Sequence, residues 1–229
     1  MRRILVLTVF AAASFAARPQ PATNGDLNAL LDRVDKAGSG FRAMSANVRR
    51  VQHTAVVNED TIDSGVIFLK RGRGRDVRML IDLTQPDPKQ VEFQGHTVEI
   101  YYPKINTIDE FDVSKQRELL EQLFLLGFGS SRAELQSSYT LRLVGPDTLA
   151  GQKTQVLELI PKSNDVRQHL SIIEMWVGGD GYPLQQKFYQ KGGDYELATY
   201  SDVKINPDLP ESSLKLKAPK NAKRDYPQK

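Results

Sequence analysis

Residues 65–103, GVIFLKRGRGRDVRMLIDLTQPDPKQVEFQGHTVEIYYP, decide the fold. The stretch reads as four strands joined by three turns. Val77, Met79, Ile81 and Leu83 alternate with Arg78 and Asp82, and Val98, Ile100 and Tyr102 alternate with Thr97, Glu99 and Tyr101. A period of two marks a sheet with one buried and one wetter face. The turns Arg71-Gly72-Arg73-Gly74, Gln85-Pro86-Asp87-Pro88 and Gln94-Gly95-His96 carry the Gly or Pro that reversals need. The apolar face of this sheet is where function is expected.

Upstream, Thr23 and Asp26 form a capping-box pattern ahead of Leu27, Leu30, Leu31 and Val34 at helical spacing, and Gly38 and Gly40 end that helix. Ala46 to Val57 then reads as extended chain. Downstream, a strand is expected over Ile105 to Val113. Ser114 is the expected cap of a second helix with an apolar face of Leu119, Leu120, Leu123 and Phe124, closed by Gly127 and Gly129. Ser130 or Ser131 caps one further short turn through Glu134. Five strand signals follow, over 139–144, 154–160, 170–177, 184–189 and 197–205, with Gly178-Gly179-Asp180-Gly181 as the plainest hairpin turn. A tail with Leu214 and Leu216 ends in a basic, proline-containing coil.

Short strands joined by tight turns predict an antiparallel sheet, and about ten strands are more than an open sheet holds flat. The expected class is α+β: a curled, unclosed antiparallel half-barrel with amphipathic helices packed against its concave face. Residues 1–16 are set aside. Arg2 and Arg3, the apolar run Ile4 to Ala13 and the small residues Ser14 and Ala16 make a secretory signal peptide, with cleavage after Ala16 or Ala17. The run is too short to span a bilayer. Residues 17–229 then form one domain, expected in the periplasm as a soluble monomer.

The chain has no cysteine, which excludes disulfides, zinc ribbons, iron–sulfur clusters, thiol nucleophiles and a lipid anchor on an N-terminal cysteine. The formal charge of +3 loses Arg2 and Arg3 with the leader, leaving a nearly neutral chain with no general attraction for nucleic acid. His53, His96 and His169 stand far apart with no carboxylate at ligand spacing. There is no G-x-S-x-G elbow, Gly72-x-Gly74 lacks a third glycine, and Ser130-Ser131 is explained by capping. No catalytic residue, metal ligand or cofactor is assigned. A secreted hydrolase, for instance one with a scattered carboxylate pair, is the reading from a different class. Lys70, Arg71, Arg73, Arg75 and Arg78 crowd one hairpin, either as a solvated turn that discourages edge pairing or as a cationic lip over a cavity.

With these residues in view, the chain resembles the periplasmic outer-membrane lipoprotein carriers of the LolA-like family. The likeness runs through Leu30-Leu31, Gly65, Lys70-Arg71, Thr84-Gln85-Pro86, Gly95, Tyr101-Tyr102-Pro103, Leu125-Leu126-Gly127-Phe128-Gly129, Gly181 and Pro183, with Pro207 to Pro219 in the place of the last strand. It departs where the family has K-R-P and then large aromatics: here Gly72 follows Arg71, and the next strand offers Val77, Met79 and Ile81. The resemblance implies a half-barrel whose apolar cavity takes the acyl chains of lipoproteins and carries them from the inner to the outer membrane without catalysis. It implies an inner-membrane release complex and an outer-membrane acceptor as partners. The expected lining is Met79, Ile81, Leu83, Phe93, Ile100 and Tyr102 on the sheet and Leu119, Leu123 and Phe124 on the helix. The family's lid-holding arginine matches Arg71 by its lysine neighbour or Arg75 by its distance to Met79. A carrier of another lipid or glycolipid is the alternative.

Overall fold

The computed structural model describes residues 24–72 and 76–228. The expected signal peptide, the Thr23 cap and Arg73 to Arg75 lie outside them. The described residues begin with α1 (Asn24–Ser39) and then run β1 (Ala43–Thr54), β2 (Glu59–Arg71), β3 (Val77–Gln85), β4 (Lys89–Gln94), β5 (Thr97–Tyr102) and β6 (Thr107–Asp112). Next come α2 (Arg117–Phe124), α3 (Arg132–Ser138), β7 (Tyr139–Leu149), β8 (Gln152–Pro161), α4 (Asn164–His169), β9 (Ile172–Val177), β10 (Pro183–Tyr189), β11 (Tyr195–Ile205) and β12 (Lys223–Asp225).

Among the described residues twelve strands form one sheet in the order β12-β6-β5-β4-β3-β2-β1-β11-β10-β9-β8-β7. Its two ends, β12 and β7, do not pair, so the sheet is unclosed. The described pairings are antiparallel except β12 with β6. Consecutive hairpins build each half, and β1 and β11 join the halves at the centre. The chain therefore leaves β6 near one edge and must re-enter at β7 on the other. The connection carries α2 and α3, and it crosses the concave face because the apolar side chains of both halves point there. Topology, as much as helix propensity, puts α2 where it is.

Register sorts the two faces. Met44, Leu69, Met79, Phe93 and Val98 stand in one cross-strand row, and Ala46, Ile67, Ile81, Val91 and Ile100 in the next. These rows face α2. On the other half, Leu157, Leu159, Ile173, Met175 and Val177 take the apolar stripe of α1 (Leu30, Leu31 and Val34) together with Leu126, Leu135 and Tyr139. Gly65 sits where the β2–β3 register slips by one residue. A Cβ there would lie 2.0 Å from the Asp82 carbonyl, so only glycine fits.

The convex face of β2–β6 is also apolar in part. Leu80, Tyr101 and Ile108 are buried there under the C-terminal segment, which brings Leu209 and Leu214. The amides of Leu216 and Lys217 donate to the side chains of Glu92 (2.6 Å) and Gln90 (2.7 Å).

Three expectations need correction. Ser114 does not cap α2: its hydroxyl and amide both bind Asp112 Oδ1, and the N-cap position belongs to Gln116. The strand expected from Ile105 begins at Thr107, because Pro103 to Ile105 form a 3₁₀ turn ended by Asn106 in the left-handed region. Residues 207–219 do not form the last strand. They run as coil with one 3₁₀ turn (Glu211–Leu214), and the amides of Leu216 and Lys217 go to side-chain carboxylate and carboxamide acceptors rather than a ladder. By contrast, Ser131 caps α3 with a full capping box to Glu134.

Candidate functional site

The site builds from the sheet upward. Met79, Leu83 and Phe93 are buried in the core cluster with Phe41, Leu125 and Phe128. Ile81 and Val98 are only partly buried against that cluster, and Ile100 and Tyr102 are likewise half-covered on the same face. The helix side mirrors this. Leu119, Leu120, Leu123 and Phe124 are all half-buried, and the one buried residue of α2 is Glu121. Phe124 meets Phe93 edge-on at 5.0 Å. Leu123 leans the other way, into the cluster under α1, and Leu119 joins neither cluster.

The nine lining candidates thus separate into filled core (Met79, Leu83, Phe93) and a half-covered apolar zone (Ile81, Ile100, Tyr102, Leu119, Leu123, Phe124). Burial beside Asp109 raises the Tyr102 phenol above its ordinary value, so it stays a neutral hydroxyl. Leu125 and Phe128, which are not among the expected lining residues, are buried in the same core cluster. Their place in a run that ends in glycines reads as helix end rather than core.

α2 is rooted at its C-terminal side. Residues 125–130 are all buried. Gln186, 3% exposed on the concave face of β10, donates to the Leu126 carbonyl (3.1 Å) and accepts from Tyr200 (2.8 Å). Burial pushes the Tyr200 hydroxyl up. Gly127, at φ +77°, lets the loop pass Met175 and Pro183, which a Cβ would meet at 2.9 and 3.1 Å. Arg71 Nη1 donates to the Gly129 carbonyl at 3.2 Å. At the other end Arg117 bonds Glu121 (2.8 Å) and lies 3.8 Å from Asp76 on the β2–β3 hairpin. From α2 itself, Gln122 donates to the Tyr139 hydroxyl, which burial pushes up to about 12.

Among the described residues the basic hairpin divides between the two faces. A period of two sends Arg71 to the concave side, while Lys70 and Arg78 both reach Glu211 of the C-terminal segment on the convex side. Arg75 lies outside the described residues. His53 binds Asp60 (2.7 Å) and stacks on Tyr195, His96 lies 3.5 Å from Arg117, and His169 ends α4. Among the described residues no group of three His, Asp or Glu is placed to hold a metal ion. No helix among them is long and apolar enough to cross a membrane. Two cavities, of about 660 and 610 Å³, lie away from α2: one under the C-terminal segment against β4–β6, one beside the β7–β8 hairpin and Arg33.

No family model matches the chain, and no curated protein does. Solved structures do. MucB superposes with a TM-score of 0.52 at 19% identity over 85% of this chain, which spans 64% of MucB. The lipoprotein LppX of Mycobacterium tuberculosis superposes at 0.51 with 12% identity, covering 82% of this chain and 99% of LppX. A LolA superfamily protein from Nitrosomonas europaea matches at 0.40 with 16% identity over 82% of this chain and 97% of its own, a score too low to argue from. At these identities what this chain shares with MucB and LppX is a fold.

Proposed function

We propose that this chain is an exported carrier that takes acyl chains between its concave sheet and α2 and moves lipoproteins from the inner to the outer membrane. The observation that supports it is the half-covered apolar zone. A helix laid over a sheet normally buries its apolar stripe; α2 buries a glutamate and leaves Leu119, Leu120, Leu123 and Phe124 half-covered, and Ile81, Val98 and Ile100 are half-covered on the sheet. Moving a long acyl chain out of a membrane costs about 0.8 kcal/mol per methylene, so a carrier must offer equivalent apolar surface and then release it. Leu119 and its neighbours would supply one wall and the sheet the other. α2 would lift about its buried root at residues 125–130, held by Arg71, and no bond is made or broken. An inner-membrane complex would load the carrier and an outer-membrane acceptor with higher affinity would empty it. The protein would work as a monomer.

Native mass spectrometry of the protein purified from the envelope of its host tests this. A mass increment equal to an acylated protein is the expected result. A small-lipid increment moves the cargo to a free lipid or glycolipid. A bare chain that also fails to bind an apolar fluorescent probe overturns the carrier reading.

A further inference from the structure

The concave face is not apolar throughout. Following β1 and β2 away from α2, the inward positions run Met44, Ala46, Val48, Arg50 and Leu69, Ile67, Gly65, Asp63. Lys89 faces the same way, opposite Leu83, and Glu196 comes in from β11. These four meet: Arg50 Nε donates to Glu196 (2.8 Å), Arg50 Nη1 lies 3.9 Å from Asp63, and Lys89 Nζ lies 3.3 Å from the same Asp63 oxygen. The Asp63 side chain is 3% exposed and that of Arg50 12%, while Lys89 (26%) and Glu196 (33%) reach the surface. Asp63 Oδ2 is buried and accepts no aligned hydrogen bond, despite the ammonium beside it.

Burying ion pairs on an inner face costs desolvation that their attraction barely offsets. The cluster balances two cations against two anions, so it has little net pull on a charged ligand. Its unfilled requirement is a donor for Asp63. A fatty-acid carboxylate or a phosphate diester brings none, and an ammonium would have to sit beside Arg50 and Lys89. We infer that Arg50, Asp63, Lys89 and Glu196 form a headgroup subsite for an uncharged hydrogen-bond donor, a hydroxyl or an amide N–H, on an amphiphile whose tail lies toward the half-covered Ile81 and Ile100. Ile81 pairs with Ile67, which is four positions along β2 from Asp63, roughly 13 Å of strand, so head and tail occupy distinct ground. The inference rests on the proposed acyl-chain binding and deepens it.

The test is displacement of N-phenyl-1-naphthylamine from the mature protein by four ligands of one chain length: monomyristoylglycerol, myristamide, methyl myristate and myristate. The donor-bearing neutral ligands should bind about tenfold tighter than methyl myristate, and which of the two leads tells hydroxyl from amide. Asp63→Leu removes the acceptor and should erase that preference, whereas Lys89→Met leaves the acceptor with one cation fewer beside it and should widen it; if Asp63→Leu unfolds, Lys89→Met decides, and a preference that narrows in it overturns the subsite. Equal binding of all four overturns the subsite and leaves the carrier reading standing. Tightest binding of myristate overturns the uncharged-donor assignment. Binding of none overturns the carrier reading itself and the subsite with it.

Discussion

Arg71→Met isolates what the concave arginine does. The substitution keeps most of the apolar stem and removes the guanidinium that donates to the Gly129 carbonyl at 3.2 Å. A hydrogen bond from a charged donor contributes about 1.5–3 kcal/mol. At this length and with partial burial a value near 2 kcal/mol is reasonable, which multiplies local opening about thirtyfold. The loss falls on residues 125–130, whose amides are tied by local bonds: Leu125 N to Glu121 O (3.1 Å), Phe128 N to Leu125 O (3.0 Å) and Gly129 N to Leu125 O (2.8 Å). Native-state hydrogen exchange reads these amides directly. The expected outcome is faster exchange at Leu125, Phe128 and Gly129 by about that factor, with the β8–β9 amides unchanged. If these three exchange within threefold of wild type (a difference of about 0.6 kcal/mol), Arg71 does not hold the root of α2 and the latch reasoning is wrong.

Leu119→Asp tests the half-covered zone: because Leu119 packs in neither core cluster, the melting temperature should hold while affinity for an apolar fluorescent probe falls severalfold or more. Unchanged probe binding would place the ligand elsewhere. Glu92→Gln should stabilise the protein at pH 7. Burial raises the Glu92 carboxyl, so folding stability is full below the ordinary carboxylate range and falls as pH rises through it to the raised value; glutamine can still accept the Leu216 amide and avoids that loss. The advantage over wild type should vanish at pH 3 in denaturant titrations, and an advantage that persists there would assign it to packing. Ser131→Ala removes the capping box of α3 and should cost about 1 kcal/mol, read as a midpoint shift in urea, with Ser131→Asp recovering most of it.

The sheet was legible in the sequence because its signal is local. Val77, Met79, Ile81 and Leu83 alternate, and each turn has its Gly or Pro, so strand identity and inward face follow without tertiary information. A cap at Ser130 or Ser131 was legible for the same reason, and the structure assigns it to Ser131. Ser114 misled because Asp112, two residues back, offers its carboxylate to the serine amide and hydroxyl and makes a turn before the helix. α4 escaped because six residues give too little periodicity to read. The basic hairpin was legible as a cluster but not as a division. That needs Glu211, which arrives on the convex side from more than a hundred residues away. The charge cluster at Asp63 was invisible for a like reason: Arg50, Asp63, Lys89 and Glu196 are spread over four strands, and only the register β11-β1-β2-β3-β4 brings them together.

That register also explains why the apolar zone stands half-covered on one face only. Both faces of β2–β6 carry large apolar side chains, and a sheet so built needs cover on both. The convex face receives it from the C-terminal segment, whose Leu209 and Leu214 are buried and whose amides are held by Gln90 and Glu92. The concave face must share the rest of the cover between two halves. α1, with its stripe of Leu30, Leu31 and Val34, goes to the β7–β9 half, and the eight residues of α2 are left for the other. Eight residues make a helix of about 12 Å, against five strands whose spacing alone spans about 19 Å. Ile81, Val98 and Ile100 therefore stay half-covered because the helix is too short to close over them. A substitution can enlarge a side chain there but cannot lengthen α2, so filling the zone with Ile100→Phe should lower probe affinity while leaving the fold's stability within about 1 kcal/mol of wild type. Tighter probe binding in that variant would mean the aromatic ring adds lining rather than filling space, and the ligand would then lie across Ile100 instead of over it.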